Sequence, residues 1–159
     1  MKPRRPTILD ELKQTRPFAS KAQETTVALL RTTDVVRRRL ARVVEQERIT
    51  LQQYNVLRIL RGAHGAPMSA LDVAERLIEE TPGVSRLLDR LVAKGLIRRD
   101  RSLQDRRRLE CSITPRGLEL LARLDNPVTR ADSDALQGLT SREISTLSEL
   151  LSRIRQANA

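Results

Sequence analysis

Apolar residues recur at helical spacing along most of the chain and alternate strictly in one short stretch. The helical spacing predicts a short helix, a long helix, three helices of ordinary length and a helical C-terminal region, over about 8–14, 21–47, 51–61, 70–78, 82–94 and 115 to the end. The alternation lies in "RLECSIT", residues 108–114, and predicts a strand that pairs with "LIRRDR", residues 96–101. Breaks in the C-terminal helical region are expected near Pro127 and at Gly138.

Two kinds of capping signal mark where these helices begin. In the first, a hydroxyl residue is followed three positions later by a side chain that can bond back to the backbone. In the second, a hydroxyl residue is followed by proline at the first helical position, where its missing N–H is not needed. Together they predict six helix starts, directly after Ser20, Thr50, Ser69, Thr81, Thr114 and Thr140.

Three helices followed by a hairpin are the order of a winged helix-turn-helix. The sequence therefore predicts a mainly α fold with a small β-hairpin wing. The winged helix-turn-helix core covers 49–114, after an N-terminal extension and dimerisation helix over 1–48 and before C-terminal dimerisation helices over 115–159. Two apolar stripes exceed what one small core can cover and favour a homodimer. They are Leu29, Val36, Leu40 and Val43 in the first region, and Ile144, Leu147, Leu151 and Ile154 in the last.

The charge of the chain is positive and concentrated. Thirty Lys and Arg against 20 Asp and Glu give a net charge of +10, most of it from arginine, which suits a polyanionic partner. An arginine-rich genome would raise the charge without any such partner. Residues 81–108, however, hold nine basic residues against three acidic ones, a net +6 within one structural unit. Charge concentrated in this way favours a nucleic-acid contact surface.

The helix predicted over 82–94 divides into two faces. Its apolar face would bury against the preceding helices, and its other face carries small and arginine residues, as a helix that reads base edges in the DNA major groove requires. An ordinary amphipathic surface helix has the same division, and the charge of the adjacent hairpin favours the DNA-binding interpretation. The predicted contact residues on and before this helix are Thr81, Pro82, Gly83, Ser85, Arg86 and Arg90.

The hairpin tip carries Asp105, Arg106 and Arg107, which we predict to contact DNA as well. A narrow minor groove concentrates negative potential and attracts an inserted arginine. Asp105 would hold a neighbouring guanidinium in one orientation before the DNA arrives, and binding would relieve the repulsion among the arginines.

The sequence lacks the residues that several classes of protein require. Cys111 is the only cysteine and His64 the only histidine, which leaves no Cys-based cluster, zinc site or paired nucleophile, so neither a metal nor another cofactor is expected. No paired carboxylates or glycine-rich phosphate loop indicate an enzyme. The N-terminus has no apolar run of the kind found in signal peptides, and no stretch is long enough to span a membrane, so we expect a cytoplasmic protein.

The residues of the hairpin and of the preceding helix resemble the multiple antibiotic resistance regulator (MarR) family of bacterial transcription factors. The wing signature is matched by Asp105, Arg107, the apolar Cys111 and Ile113, Thr114 and Gly117. "VSRLLDRLVAKGLI" is similar to the family's recognition helix and following strand, and "TLQQYNVLRIL" to its second helix. The resemblance covers about residues 20–155. It implies a homodimer with intertwined terminal helices that binds double-stranded DNA at a pseudo-palindromic operator, commonly as a repressor released by a small ligand such as an aromatic or phenolic acid.

The effector site is less well indicated than the DNA-binding site. The resemblance implies a ligand between the dimerisation helices and the winged core, where Tyr54 and His64 would line the site, although His64 is also interpreted as a solvated loop residue. Oxidant-sensing members carry a reactive cysteine near the N-terminus; here Cys111 is at a strand position, so we predict that it belongs to the core. An architectural protein that binds DNA by backbone and groove width alone is the alternative function.

Overall fold

The computed structural model of the protein describes residues 6–80, 82–102 and 108–158. These residues form seven helices and three short strands. In chain order the elements are α1 (Ile8–Glu11), α2 (Lys21–Glu45), α3 (Leu51–Gly62), β1 (Met68–Ser69), α4 (Ala70–Glu75), α5 (Val84–Ala93), β2 (Ile97–Arg101), β3 (Leu109–Ile113), α6 (Pro115–Ala135) and α7 (Ser141–Gln156). The mainly helical fold with a β-hairpin, predicted from the order of the segments, is confirmed.

The chain divides into two compact units, Met1–Arg39 and Leu40–Ala159, and α2 crosses the boundary between them. In the first unit, Thr7 and Asp10 form a capping box at the start of α1. A salt bridge of 3.8 Å between Arg31 Nε and Glu11 Oε2 joins α1 to α2. The second unit holds the sheet and the remaining helices.

The three strands form one antiparallel sheet in the order β1-β3-β2. The predicted hairpin is confirmed, with Ile97 opposite Ile113 and Arg101 opposite Leu109. The pairing of β1 with β3, which places Met68 opposite Cys111, was not predicted. A strand of two residues is too short to show an alternating pattern, so only its pairing with β3 identifies it.

The core of the second unit is apolar and joins every element from the end of α2 to α6. Its fully buried side chains are Leu57, Leu60, Leu88, Leu91, Leu121, Val44, Val56, Val73 and Cys111. The prediction that Cys111 belongs to the core is therefore confirmed. Burial raises the pKa of its thiol, with only part of the rise offset by the neighbouring Arg99. The thiol is consequently neutral and behaves as a small apolar group.

Of the six predicted helix starts, five are confirmed in the described chain. The side chains of Ser20, Thr50, Ser69, Thr114 and Thr140 each accept a hydrogen bond from a backbone N–H in the first helical turn. The start after Thr81, which itself lies outside the described residues, was wrong, because α5 begins at Val84. Gly83 precedes it with φ 93° and ψ 36°, a left-handed conformation that cannot continue a right-handed helix, so Pro82 lies in a turn. The helix predicted over 70–78 also ends earlier, at Glu75.

The break predicted near Pro127 was wrong, whereas the break at Gly138 is confirmed. The helix α6 continues through Pro127 to Ala135, although proline removes one backbone hydrogen bond at roughly 3 kcal/mol. Buried apolar side chains on both sides of Pro127 hold the helix against the core, namely Leu120, Leu121, Leu124, Val128 and Ala131. Arg61 Nη1 also donates to both carboxylate oxygens of Asp125 at 3.0 and 2.9 Å. Tertiary contacts therefore outweigh the local preference of proline.

Gly117 lies at the closest approach between α6 and the turn before β2. A Cβ at this position would lie 2.3 Å from the carbonyl oxygen of Leu96 and 2.8 Å from Cγ1 of Ile113. The carbonyl cannot move freely, because it accepts hydrogen bonds from the Thr114 hydroxyl at 3.0 Å and from the Thr114 N–H at 3.1 Å. Glycine is thus required here for packing, which gives a physical reason for its place in the sequence signature.

We therefore expect Gly117→Ala to lower the free energy of unfolding by about 1–3 kcal/mol or more, as overpacking does. Urea unfolding followed by circular dichroism measures the change. Gly62→Ala is the matched control, because a Cβ there meets nothing within 4 Å and should be neutral or stabilising. Equal losses in the two variants would contradict the packing explanation.

Candidate nucleic-acid interface

The helix α5 presents a polar face to solvent because its apolar face is anchored in the core. Leu88 and Leu91 are fully buried and Leu87 is 7% exposed. These three side chains fix the rotation of the helix about its axis, since turning it would expose them. The opposite face consists of exposed residues, as predicted: Ser85, Arg86, Asp89, Arg90 and Ala93.

The N-terminal end of α5 is exposed at Pro82 and Gly83. A Cβ on Gly83 would meet no atom within 4 Å, so its positive φ, rather than crowding, is what requires glycine. No side chain caps this helix, and the first intrahelical bonds run from the N–H groups of Arg86 and Leu87 to the Gly83 carbonyl. The preceding N–H groups and the positive end of the helix dipole suit a phosphate.

An ion pair that the sequence did not indicate joins α5 to the sheet. Arg99 Nη1 on β2 donates to Asp89 Oδ1 on α5 at 2.6 Å. The Arg99 side chain is only 19% exposed and its backbone is paired in register with Cys111, so the guanidinium is held from the sheet side. Asp89 would otherwise present an unpaired negative charge on the face that carries Arg86 and Arg90. The pair neutralises that charge and ties the helix to the hairpin.

The hairpin strands remain paired up to the limit of the described residues. The Ser102 N–H donates to the Arg108 carbonyl at 2.9 Å, beyond the last strand pair. Arg98, Arg101 and Arg108 are exposed along these strands. The predicted tip residues Asp105, Arg106 and Arg107 lie outside the described residues, as does Thr81. The strands therefore bring basic residues to both sides of the predicted tip.

The two residues predicted to line an effector site occupy different environments. Tyr54 is 6% exposed and belongs to the core of the second unit, with its ring centroid 6.0 Å from the Arg58 guanidinium carbon. His64 is exposed in the turn after α3, with a left-handed φ of 50°. Within the described ranges, no group of three or more His, Cys, Asp and Glu is arranged to hold a metal ion. No helix of the described chain is both long and apolar enough to cross a bilayer.

Known proteins are similar to this chain in both sequence and fold. The family model for the MarR family matches residues 49–109. A Thauera aromatica protein named as a transcriptional regulatory protein for the hcr operon is 36% identical over 118 residues, which are 74% of this chain and 70% of the relative. The homoprotocatechuate degradative operon repressor of Escherichia coli is 28% identical over 126 residues, which are 79% of this chain and 84% of the relative.

A solved structure of a MarR transcription factor from Planctomyces limnophilus superposes with a TM-score of 0.67 at 35% identity, covering 86% of this chain and 98% of that one. The residues that the family model matches include α3, α4, α5 and β2, and they end at the first residue of β3. The chain therefore belongs to the MarR family of transcriptional regulators, which are DNA-binding proteins and not enzymes.

Proposed function

We propose that this regulator is a homodimeric repressor that binds a pseudo-palindromic operator and is released by a small ligand, with an aromatic acid as the favoured class. The observation that carries the proposal is the exposed arginine face of α5, which is anchored by three buried leucines and tied to β2 by the Arg99–Asp89 pair. A rigid helix with this face can enter a major groove in one defined orientation.

The proposed contacts divide by chemistry. Arg86 and Arg90 would donate to base edges, with guanine as the preferred base for a bidentate guanidinium. Ser85 and the N-terminal residues Thr81, Pro82 and Gly83 would lie against phosphates, where exposed N–H groups and a missing side chain allow close approach. Asp105, Arg106 and Arg107 would form the part that enters the minor groove.

A second copy of the chain is the proposed partner of α7. None of the 16 residues of this helix is buried. Its large apolar side chains Leu147, Leu150 and Ile154 are 37%, 47% and 46% exposed. The part of α2 in the first unit likewise carries the exposed Leu30 and Val35. An amphipathic helix that leaves its apolar stripe in water gains from pairing, and a twofold dimer matches the symmetry of a pseudo-palindromic site.

The proposal of repression, and of release by an aromatic acid, is based on the names of relatives. The Escherichia coli relative is named as the repressor of a homoprotocatechuate degradative operon, and homoprotocatechuate is an aromatic acid. A regulator that leaves its operator when such a compound accumulates would allow the operon to be expressed. We extend this logic to the present chain.

The DNA contact is tested by selecting binding sites from a randomised duplex pool and footprinting the result. We expect a short twofold-symmetric sequence, and Arg86→Ala should weaken its binding by about 1–3 kcal/mol and relax preference at one position in each half-site. Arg130→Ala, an exposed arginine on α6, is the matched control and should leave the preference unchanged. Protection of every sequence alike would instead support an architectural DNA-binding protein.

The role of the Arg99–Asp89 pair is tested by comparing Asp89→Ala with Asp89→Asn. Both remove the negative charge, so both should bind non-specific DNA more tightly. Only asparagine retains an oxygen that accepts from Arg99, so the ratio of specific to non-specific affinity should fall roughly 5- to 10-fold in the alanine variant and much less in the asparagine variant. Equal ratios in the two variants would show that the pair does not position α5.

The dimer is tested by sedimentation of the whole chain. We expect the wild-type protein to sediment as a dimer and Leu147→Asp to shift it toward monomer, because an aspartate in an apolar interface is strongly unfavourable. Leu71→Asp is the matched control, since Leu71 is 68% exposed on α4, outside the proposed interface. A monomeric wild-type protein, or equal effects of the two variants, would refute the proposed interface.

A further inference from the structure

The C-terminal end of α5 is fixed by its own backbone. The Gly95 N–H donates to the Val92 carbonyl at 2.8 Å, and the Leu96 N–H donates to the Leu91 carbonyl at 3.0 Å. Gly95 is left-handed, with φ 67°. These bonds and this conformation form a Schellman motif, which ends a helix in one defined geometry. The side chain of Lys94, the residue before the glycine, therefore starts from a fixed point.

The ammonium group of Lys94 connects α5 to segments that are distant in sequence. Its Nζ donates to the carbonyl of Arg48, in the connection between α2 and α3, and to Gln53 Oε1, in the first turn of α3, at 3.3 Å. These two residues lie 46 and 41 positions before the lysine. One side chain therefore joins the end of α5 to the start of α3 and to the connection that precedes it.

Both oxygens that accept from the lysine are held in place by local bonds. Arg48 is left-handed, with φ 57°, and its N–H donates to the Glu45 carbonyl at 2.9 Å. Gln53 is buried, and its Oε1 also accepts from the Thr50 N–H at 3.2 Å as part of the capping box that starts α3. An outward movement of the end of α5 would therefore break the lysine contact, because the acceptors cannot follow.

The lysine contact supports α5 from a side that the other tie leaves open. The pair between Arg99 and Asp89 holds the helix from the sheet. Asp89 and Lys94 are five positions apart, which is roughly 140° around the axis of an α-helix, so the two ties act from different directions. The N-terminal end of α5 has no side-chain cap. The orientation of that exposed end is therefore set from the middle and the C-terminal end of the helix.

The distance between Lys94 and the exposed arginines amplifies any movement at the lysine. At 1.5 Å per residue, Arg90 lies about 6 Å and Arg86 about 12 Å along the axis from Lys94. A tilt of about 10° around the C-terminal end would move Arg86 by about 2 Å. Groups that recognise a ligand by geometry must be placed within about 0.5 Å, so such a tilt would remove contacts to base edges. Attraction to phosphates would persist, because it falls only slowly with distance.

We propose that Lys94 is a positioning residue for sequence-specific DNA binding, which acts through α5 by fixing the tilt at which Arg86 and Arg90 meet the bases. This role rests on the proposed function of the protein as an operator-binding repressor. The alternative role for a lysine in such a protein is a direct phosphate contact. Lys94 is half-buried, donates to two protein oxygens and lies at the opposite end of α5 from the N-terminal residues predicted to contact DNA, which favours positioning.

Affinities of the full chain for its selected operator and for a non-specific duplex of equal length test the proposal. Lys94→Met keeps an apolar stem and removes the ammonium group, so the ratio of specific to non-specific affinity should fall roughly 10-fold. The non-specific affinity should change by less than about twofold and keep its salt dependence, because no phosphate contact is lost. Lys94→Arg should retain most of the ratio, because a guanidinium can still donate to both oxygens.

The matched control is Arg123→Met, which also removes a cation. Arg123 on α6 donates to Glu47, in the connection before α3, from Nε at 3.0 Å and from Nη2 at 2.8 Å. This pair does not involve α5, so the affinity ratio should stay within about twofold of the wild-type value. Thermal unfolding checks that each variant is folded. If Lys94→Met does not fold, Lys94→Gln carries the same comparison and should lower the ratio in the same direction.

Loss of specific and non-specific affinity by the same factor, with a salt slope shallower by about one, would show a phosphate contact and overturn the positioning role. An unchanged ratio in Lys94→Met would overturn it as well, as would an equal loss in Arg123→Met.

Amide hydrogen exchange without DNA tests the tie separately from the repressor function. Backbone N–H groups in the last turn of α5 should exchange roughly tenfold faster in Lys94→Met than in Arg123→Met, and equal rates would refute the tie. Should the wild-type chain select no operator, the proposed repressor function fails, whereas the exchange rates still decide whether Lys94 holds α5 to α3.

Discussion

Burial of one face of α5 is the interaction on which the arrangement of the whole interface depends. Leu87, Leu88 and Leu91 enter a core built from every element of the second unit between the end of α2 and α6. A helix has one rotation that buries three such side chains together, so Arg86 and Arg90 must point away from the core. The direction of the arginines is therefore a consequence of apolar packing. Their own interactions do not set it.

The corner at Thr114 connects that interface to the rest of the unit. The Thr114 hydroxyl donates to the carbonyls of Gly95 and Leu96 and accepts from the N–H of Gly117, so the end of α5, the end of β3 and the start of α6 meet at one side chain. The candidate DNA-binding helix is thus joined to the sheet and to α6 through a short and well-bonded segment of backbone.

Local signals in the sequence predicted most of the elements, and each failure has a physical cause. Capping hydroxyls predicted five helix starts because the bonds that they make lie within one turn. The start after Thr81 failed because the left-handed Gly83 delays the helix, a conformational choice that capping patterns do not encode. The break at Pro127 failed because buried side chains on both sides hold α6 together. The strand β1 was missed because two residues carry no periodicity.

The sequence by itself determined the order of elements, the two-faced character of α5, the concentration of positive charge between residues 81 and 108, and the family resemblance. All of these depend on neighbours a few positions apart, which periodicity and composition record. The tertiary structure alone decided that Arg99 pairs with Asp89 and that Gly117 leaves no room for a side chain. These relations join residues that the chain separates, so they exist only once the core has packed and brought the elements together.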